Sequence, residues 1–222
     1  MKEYYDNPTL VNTTYRKIEL KLLNALDDIV SFSGTPQYYT IGFVDIVNST
    51  NITAKLSFEN ASMYYSTFLN SMSVIVKASG GIVVKNIGDG LMFCFQENQK
   101  FQDKRILTKT LDCGLNMISA RELVNEKVSL LDLPELNYRV SADYGCILVA
   151  DSKTSFNKDL FGSPVNTCYK INHLAYPNTM VVGQNFLKYS SCNNEFVFQK
   201  ISTCIMLAKE RYEIFEVNRK VF

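Results

Sequence analysis

The sequence has few of the residues from which zinc sites and disulfide frameworks are built. It contains one histidine, His173, and its six cysteines include no C-x-x-C pair. A zinc site is therefore not expected. Most of the cysteines fall in apolar segments, which favours reduced, buried thiols. A disulfide framework is the alternative, although a chain of this length does not need covalent cross-links.

The sequence also lacks an excess of charge and a long apolar run. Lys and Arg number 23 against 22 Asp and Glu, for a net charge of +1. No overall basic field therefore indicates a nucleic acid or an anionic membrane as partner. No apolar run approaches the roughly 18 residues of a spanning helix, and the opening MKEYYDNPTL lacks the apolar core of a signal peptide. We expect a cytoplasmic protein without membrane insertion.

Helical and strand patterns alternate along the whole chain. Helical spacing of apolar residues predicts helices, and short β-branched or aromatic runs predict strands. The predicted helices are 13–30, 57–77, 102–126 and 164–175. The predicted strands are 38–47, 82–84, 91–95, one or two over 133–150, 178–183 and two near the end of the chain. This order predicts helices packed around a mixed or largely antiparallel sheet, with no linker or repeat.

The stretch GGIVVKNIGDGLMFCF (80–95) reads as a β-hairpin whose tight turn contains Asp89. Taken alone, Asp89 could be a turn former and nothing more. A second carboxylate, Asp45, lies in the otherwise apolar strand FVDIV, where an unpaired charge is costly. A long helix joins this strand to the hairpin, so the two can lie side by side. Two adjacent carboxylates favour a divalent cation between them, and their hard oxygen ligands suit Mg²⁺ or Mn²⁺.

Three segments together resemble the class III nucleotidyl cyclase catalytic domain. They are FVDIVNST, GGIVVKNIGDGLMFCF and DLFGSPVNTCYKINHLA. The family's usual strings are F-x-D-I-x-x-x-T, G-G-x-x-x-K-x-I-G-D-G and D-x-x-G-x-x-V-N-x-A-x-R. The resemblance implies an α+β fold with a ferredoxin-like βαββαβ core, carrying added C-terminal strands and an N-terminal helix. On this basis residues 1–37 form a helical extension and residues 38–222 the catalytic domain.

The resemblance also implies which residues hold the metal ions. Asp45 and Asp89 fall on the family's two metal-binding aspartates, and Ile46 on the position whose backbone carbonyl reaches a metal. Two divalent cations per site, Mg²⁺ or Mn²⁺, would then activate the ribose 3′-hydroxyl and hold the triphosphate.

Further positions match residues that bind the nucleotide in the family. Lys85 and Asp159 fall on the base-selecting pair of adenylate cyclases, and Asn166 on the asparagine that orients the ribose. Lys170 stands where the family usually has arginine, so a mobile point charge replaces a planar fork. The resemblance places Lys209 only loosely on a triphosphate-binding lysine, and Phe43 is a candidate for lining the base pocket.

Other positions depart from the family or have no implied role. Ser141 and Asp143 replace the family's usual glycine and histidine or asparagine. We expect His173 to be a packing or surface residue.

The resemblance implies a head-to-tail homodimer with shared sites, in which one subunit supplies the metal aspartates. The other subunit would supply Lys85, Asp159, Asn166 and Lys170. The expected function is an adenylate cyclase that converts ATP to 3′,5′-cyclic AMP and pyrophosphate. A pyrimidine cyclase of an anti-phage system, making cyclic UMP or cyclic CMP, is one alternative. A catalytically inactive relative that binds a nucleotide or a protein partner is another.

Overall fold

The computed structural model describes residues 15–19, 21–22, 30–32, 34–97, 105–152, 159–190, 195–207 and 209–220. Within these ranges the strands are β1 (Val30–Phe32), β2 (Gln37–Ile46), β3 (Ile82–Ile87), β4 (Gly90–Gln96), β5 (Tyr138–Ser152), β6 (Asp159–Phe161), β7 (Met180–Gly183), β8 (Phe196–Leu207) and β9 (Glu210–Arg219). The helices that follow β2 are α1 (Ser49–Thr53), α2 (Phe58–Ala78), α3 (Arg105–Ser119), α4 (Arg121–Ser129), α5 (Ser163–Asn172) and α6 (Gln184–Tyr189).

Strands β2 to β5 form the ferredoxin-like core. Their order across the sheet is β3-β4-β2-β5, and every neighbouring pair is antiparallel. Helices α1 and α2 connect β2 to β3, and α3 and α4 connect β4 to β5. After α5, β7 joins β5 in parallel, and β9 and β8 extend the sheet. The predicted α+β fold with added C-terminal strands is therefore confirmed.

Strand β2 is covered on both faces, and this explains why apolar residues point to both sides of it. Val44 and Ile46 pack in the main core with side chains of α2, α3 and α4. Ile41 and Phe43 point to the opposite face and pack in a second cluster with Cys168 of α5. Asp45 shares that second face at the end of the strand, where a fifth of its side chain stays exposed.

Some elements differ from the sequence predictions. The helix predicted over 102–126 is two helices, α3 and α4, that meet at Ala120. The three-residue strands β1 and β6, which both pair with the long end of β5, were not predicted, because segments so short show no periodicity. The helix predicted over 13–30 is helical at 15–19 and 21–22, whereas Val30 belongs to β1. Residues 13, 14, 20 and 23–29 lie outside the described residues, and the domain boundary at residue 38 stays a prediction.

The described cysteines are reduced, as the sequence predicts, and three of them are buried, whereas Cys146 is exposed and Cys204 half-buried. Cys94, Cys113, Cys146, Cys168 and Cys204 are all free thiols, and Cys192 lies outside the described residues. Among the described helices, none has the length and apolar character needed to cross a membrane.

Candidate active site

The hairpin of β3 and β4 brings Asp89 to the end of β2. Gly88 and Asp89 form its two-residue turn, and Gly88 has a φ of +59° that favours glycine. The strand then passes close to β2 at Gly90. A Cβ atom at position 90 would lie 2.9 Å from the carbonyl oxygen of Val44 and 3.2 Å from Oδ1 of Asp45. A glycine after Asp89 therefore allows the turn to approach Asp45.

Asp45 and Asp89 line one cleft of about 430 Å³. Its other lining residues come from the end of β2 with α1, from the β3–β4 turn, and from β5 with the end of α5. They are Ile46, Asn48, Ser49, Thr50, Asn51, Ile87, Gly88, Arg139, Tyr169 and His173. The strand, helix and hairpin thus bring together the two aspartates that lie far apart in the sequence.

Arg139 is the charged partner of Asp45 inside the cleft. The two residues face each other across β2 and β5, with Nη2 of Arg139 lying 3.4 Å from Oδ2 of Asp45. Burial raises the pKa of Asp45, and the negative charge of Asp89 raises it further, whereas Arg139 lowers it. Sequence reasoning did not single out Arg139, because only the strand register shows which residue stands opposite Asp45.

The donor set of the cleft fits divalent cations. The negative charge of Asp89 adds to the raised pKa of Asp45, and a cation between the two carboxylates removes the repulsion behind it. In the described part of the chain, no group of three or more His, Cys, Asp or Glu side chains is placed to hold a metal ion. A cation here would therefore complete its shell with the Ile46 carbonyl, water or phosphate oxygens, as Mg²⁺ typically does.

Helix α5 is fixed across the sheet by buried polar contacts. Ser141 donates from Oγ to the Cys168 carbonyl oxygen at 2.9 Å, and Cys168 donates from Sγ to the Ile41 carbonyl oxygen at 3.2 Å. Nδ2 of Asn172 donates to the carbonyl oxygens of Phe43 and Arg139, each at 3.3 Å. Ser141, which departs from the family pattern, is thus one of the anchors of α5.

The anchored helix presents Tyr169 and His173 to the cleft and leaves Asn166 and Lys170 exposed. Asn166 and Lys170 do not line the cleft of their own chain. Phe43 is buried, and its ring lies 5.7 Å from that of Tyr169. His173, expected to be a packing or surface residue, is exposed and packs against Tyr169, and it also lines the cleft.

The remaining nucleotide-binding candidates lie apart from the cleft. Nζ of Lys85 lies 2.5 Å from Oδ1 of Asp159, so the two predicted base-selecting residues meet as a pair. Asp159 begins the short strand β6. Lys209 is exposed in the turn between β8 and β9 with a φ of +71°. Within one chain, therefore, the predicted site residues separate into those that line the cleft, Asp45, Ile46 and Asp89, and others that do not.

Asp143 belongs to a sealed polar cluster away from the cleft. Its side chain is 1% exposed, and the Tyr212 hydroxyl lies 2.9 Å from both of its oxygens. The backbone N–H of Tyr144 also donates to it at 2.9 Å. A Cβ atom at Gly183 would lie 2.8 Å from Oδ1 of Asp143, so close packing requires glycine there. This residue, without a role from sequence, ties β5 to β9.

Comparisons with known proteins agree with this geometry. The family model described as the adenylate and guanylate cyclase catalytic domain matches residues 34–219. A cytidylate cyclase of Escherichia coli is 24% identical over 181 residues, covering 74% of this chain and 38% of that protein. The chain thus spans well under half the length of this curated relative.

Solved structures of similar fold include two cyclases. The adenylyl cyclase CyaB from P. aeruginosa superposes with a TM-score of 0.75 at 17% identity, over 84% of this chain and 96% of that chain. The guanylyl cyclase Cya2 superposes with a TM-score of 0.70 at 20% identity, over 83% and 93%.

Fold, cleft and family match define a class III nucleotidyl cyclase domain. The chain belongs to the adenylate and guanylate cyclase catalytic domain family. That family generally uses divalent metal ions, which agrees with the donor set of the cleft. The named relatives act on three different bases, so family membership does not determine the substrate.

Proposed function

We propose that this chain is an adenylate cyclase, converting ATP to 3′,5′-cyclic AMP and pyrophosphate. The observation that carries the proposal is the cleft that holds Asp45, Asp89 and Arg139 together. In the reaction the ribose 3′-oxygen attacks the α-phosphorus. The bond from the α-phosphorus to the oxygen leading to the β-phosphate breaks, and the 3′-hydroxyl proton leaves to solvent.

Each residue of the cleft has a role in this scheme. Asp45, Asp89 and the Ile46 carbonyl oxygen would hold two divalent cations, Mg²⁺ or Mn²⁺. Bound there, such ions lower the pKa of the ribose 3′-hydroxyl and neutralise the triphosphate. The Arg139 guanidinium, partly buried in the same cleft, adds fixed positive charge for the phosphates.

The separation of the other candidates supports a site shared by two copies. Asn166 and Lys170 are exposed on α5 and do not line their own cleft. They are therefore available to a second chain, where Asn166 would orient the ribose and Lys170 would contact the phosphates. One cleft in a homodimer would combine the metal residues of one copy with these side chains of the other. Lys209, exposed in its turn, would act in the same way on the triphosphate.

A mixing experiment tests the shared site. An Asp45→Ala chain and an Asn166→Ala chain should each be inactive as homodimers. Their mixture should recover about a quarter of wild-type activity, because one of the two sites is intact in the half of the dimers that are mixed. A mixture that stays inactive, with mixed dimers shown by native mass spectrometry, would contradict shared sites.

The proposed adenine preference rests on Lys85 and Asp159. Lysine donates to a ring nitrogen, and aspartate accepts from an exocyclic amine. Adenine offers this combination of acceptor and donor, whereas guanine inverts it. The two side chains form an ion pair, so they already lie close enough to contact one base edge together.

Cytidylate cyclase is the second candidate activity. Two curated relatives carry that name, at 24% and 25% identity over about three quarters of this chain. Cytosine also presents an acceptor ring nitrogen beside an exocyclic amine, so the same lysine and aspartate suit it. Uracil, like guanine, has a ring N–H beside a carbonyl and does not fit the pair.

Product analysis separates these activities. The purified chain is incubated with Mn²⁺ and each of the four nucleoside triphosphates, and the products are identified by mass spectrometry. Cyclic AMP as the main product supports the proposal, and cyclic CMP supports the second candidate. Cyclic GMP or cyclic UMP as the main product would contradict the base assignment. No cyclic product from any substrate, with the chain folded and dimeric, would contradict the cyclase activity.

A further inference from the structure

The Arg139 guanidinium is shared between two elements that line the cleft. Its Nη2 lies 3.1 Å from Nδ1 of His173, and its Nη1 donates to the His173 carbonyl oxygen at 3.2 Å. The same Nη2 lies 3.4 Å from Oδ2 of Asp45. A guanidinium that closes fully on a carboxylate lies about 2.8 Å away. The contact with Asp45 is therefore stretched, although it joins opposite charges, and the contacts with His173 are shorter.

His173 offers two acceptors to the two terminal nitrogens of this guanidinium. Because arginine carries donors only, this contact is a hydrogen bond in the tautomer whose Nδ1 accepts and whose Nε2 carries the ring proton. The Tyr169 ring meets the imidazole edge-on, with centroids 4.8 Å apart and planes at 87°. Tyr169 in turn packs against buried Phe43. The imidazole thus has a packing partner in Tyr169 as well as its contact with Arg139.

The backbone at this position is also held in place. Asn172, the neighbour of His173, bonds through Nδ2 to the carbonyl oxygens of Phe43 and Arg139. These contacts fix the end of α5 to both strands that carry the charged residues. The acceptors of His173 therefore have a defined position relative to Asp45.

From these contacts we infer that His173 is a positioning residue that holds the Arg139 guanidinium back from Asp45. The carboxylate consequently stays open to a divalent cation. This inference rests on the proposed metal role of Asp45. If Nδ1 is removed, the guanidinium keeps one acceptor on His173 and is free to close on Asp45. It would then compete with the cation for the carboxylate oxygens.

The inference is tested by measuring the affinity of the full chain for Mn²⁺ in the absence of nucleotide. The signal of the free ion in electron paramagnetic resonance reports how much Mn²⁺ is bound. His173→Ala should weaken Mn²⁺ binding about tenfold, as loss of an outer-shell partner typically does. His173→Asn should restore the affinity, because its amide oxygen can occupy the place of Nδ1. His173→Gln, whose longer side chain carries its oxygen toward the place of Nε2, should not restore it.

A second background isolates the role of Arg139. In an Arg139→Gln chain the competing charge is absent, so adding His173→Ala should leave Mn²⁺ affinity unchanged. Equal weakening by His173→Ala in both backgrounds, or no weakening in either, would overturn the inference. If the alanine variant proves less stable on heating, the asparagine and glutamine variants are compared instead. Tighter Mn²⁺ binding by His173→Asn than by His173→Gln supports the inference, and equal binding overturns it.

The underlying metal assignment fails in a distinguishable way. If the wild-type chain binds no Mn²⁺, or binds it no more tightly than the Asp45→Asn chain does, the metal role and the inference are overturned together. Wild-type binding that is lost in Asp45→Asn but unaffected by His173→Ala overturns the inference alone.

Discussion

Asp45 and Asp143 lie on neighbouring strands and face the same side of the sheet, yet their surroundings differ. Opposite Asp45 in the strand register stands Arg139, and opposite Asp143 stands Ile41. Burial raises the pKa of both carboxyl groups. Asp45 keeps a fifth of its surface open beside Arg139 and Asp89, whereas Asp143 is closed off by neutral donors.

The difference shows how the surroundings of a buried carboxylate separate a structural role from a functional one. Neutral donors from Tyr212 and the backbone satisfy the oxygens of Asp143 and leave no place for a ligand. Around Asp45 a second carboxylate adds charge and the arginine contact is stretched, so the cleft can accept further positive charge. A carboxylate whose negative charge is incompletely neutralised and that is open to solvent is the better candidate for a functional residue.

The largest expected effect is on catalysis at Asp45. Asp45→Asn should lower cyclase activity about a thousandfold, since it removes a charged ligand from the proposed metal site. The temperature of unfolding should stay constant or rise, because the repulsion with Asp89 is lost. Asp143→Asn is the matched control and should keep its activity. Equal activity losses in the two variants would break the contrast.

The next effect is on the pH dependence of stability at Asp143. Burial raises the pKa of this group to about 7 in the folded chain, against about 4 in an unfolded one. Between about pH 4 and pH 7, therefore, Asp143 holds a proton in the folded chain that it has lost in the unfolded chain. The free energy of unfolding should fall as pH rises from about 4 to about 7, by roughly 2–4 kcal/mol.

Urea unfolding at several pH values measures this slope. The Asp143→Asn chain should lack the contribution, because an amide does not titrate in this range and still accepts the bonds from Tyr144 and Tyr212. If the wild-type and variant chains show the same pH profile, Asp143 does not take up a proton on folding, and the contrast between its closed cluster and the cleft at Asp45 fails.

A smaller effect is expected at the contact between the hairpin and β2. Gly90→Ala introduces a Cβ atom 2.9 Å from the Val44 carbonyl oxygen and should cost about 1–3 kcal/mol of stability through overpacking. Displacing the turn that carries Asp89 should also raise the reaction barrier by about 1.4 kcal/mol, or tenfold in rate.

Gly34→Ala serves as the control for this substitution, because no atom lies within 4 Å of a Cβ at that position. Activity and thermal unfolding of both variants are compared with wild type. A Gly90→Ala chain with wild-type activity would show that the spacing of Asp45 and Asp89 is not critical.

Most of the fold could be predicted from the sequence. Helical and alternating patterns predicted the long elements, because a surface that must bury one side repeats with the period of its structure. The hairpin 82–95 followed from its turn chemistry, and the three segments that contain Asp45, Asp89 and Asn166 together identified the family. Short elements such as β1 and β6 escaped prediction, since their pairing with β5 is a tertiary contact.

By itself the sequence determined that two aspartates, each in an apolar or glycine-rich setting, belong to one site. Only the tertiary structure decided which neighbours they have. The register of β2 with β5 set Arg139 opposite Asp45, the anchored end of α5 brought His173 to Arg139, and the packing of β9 on β7 carried Tyr212 to Asp143. These contacts join residues distant in the chain, and because a side chain's charge state depends on what surrounds it, the roles of these aspartates depend on the fold.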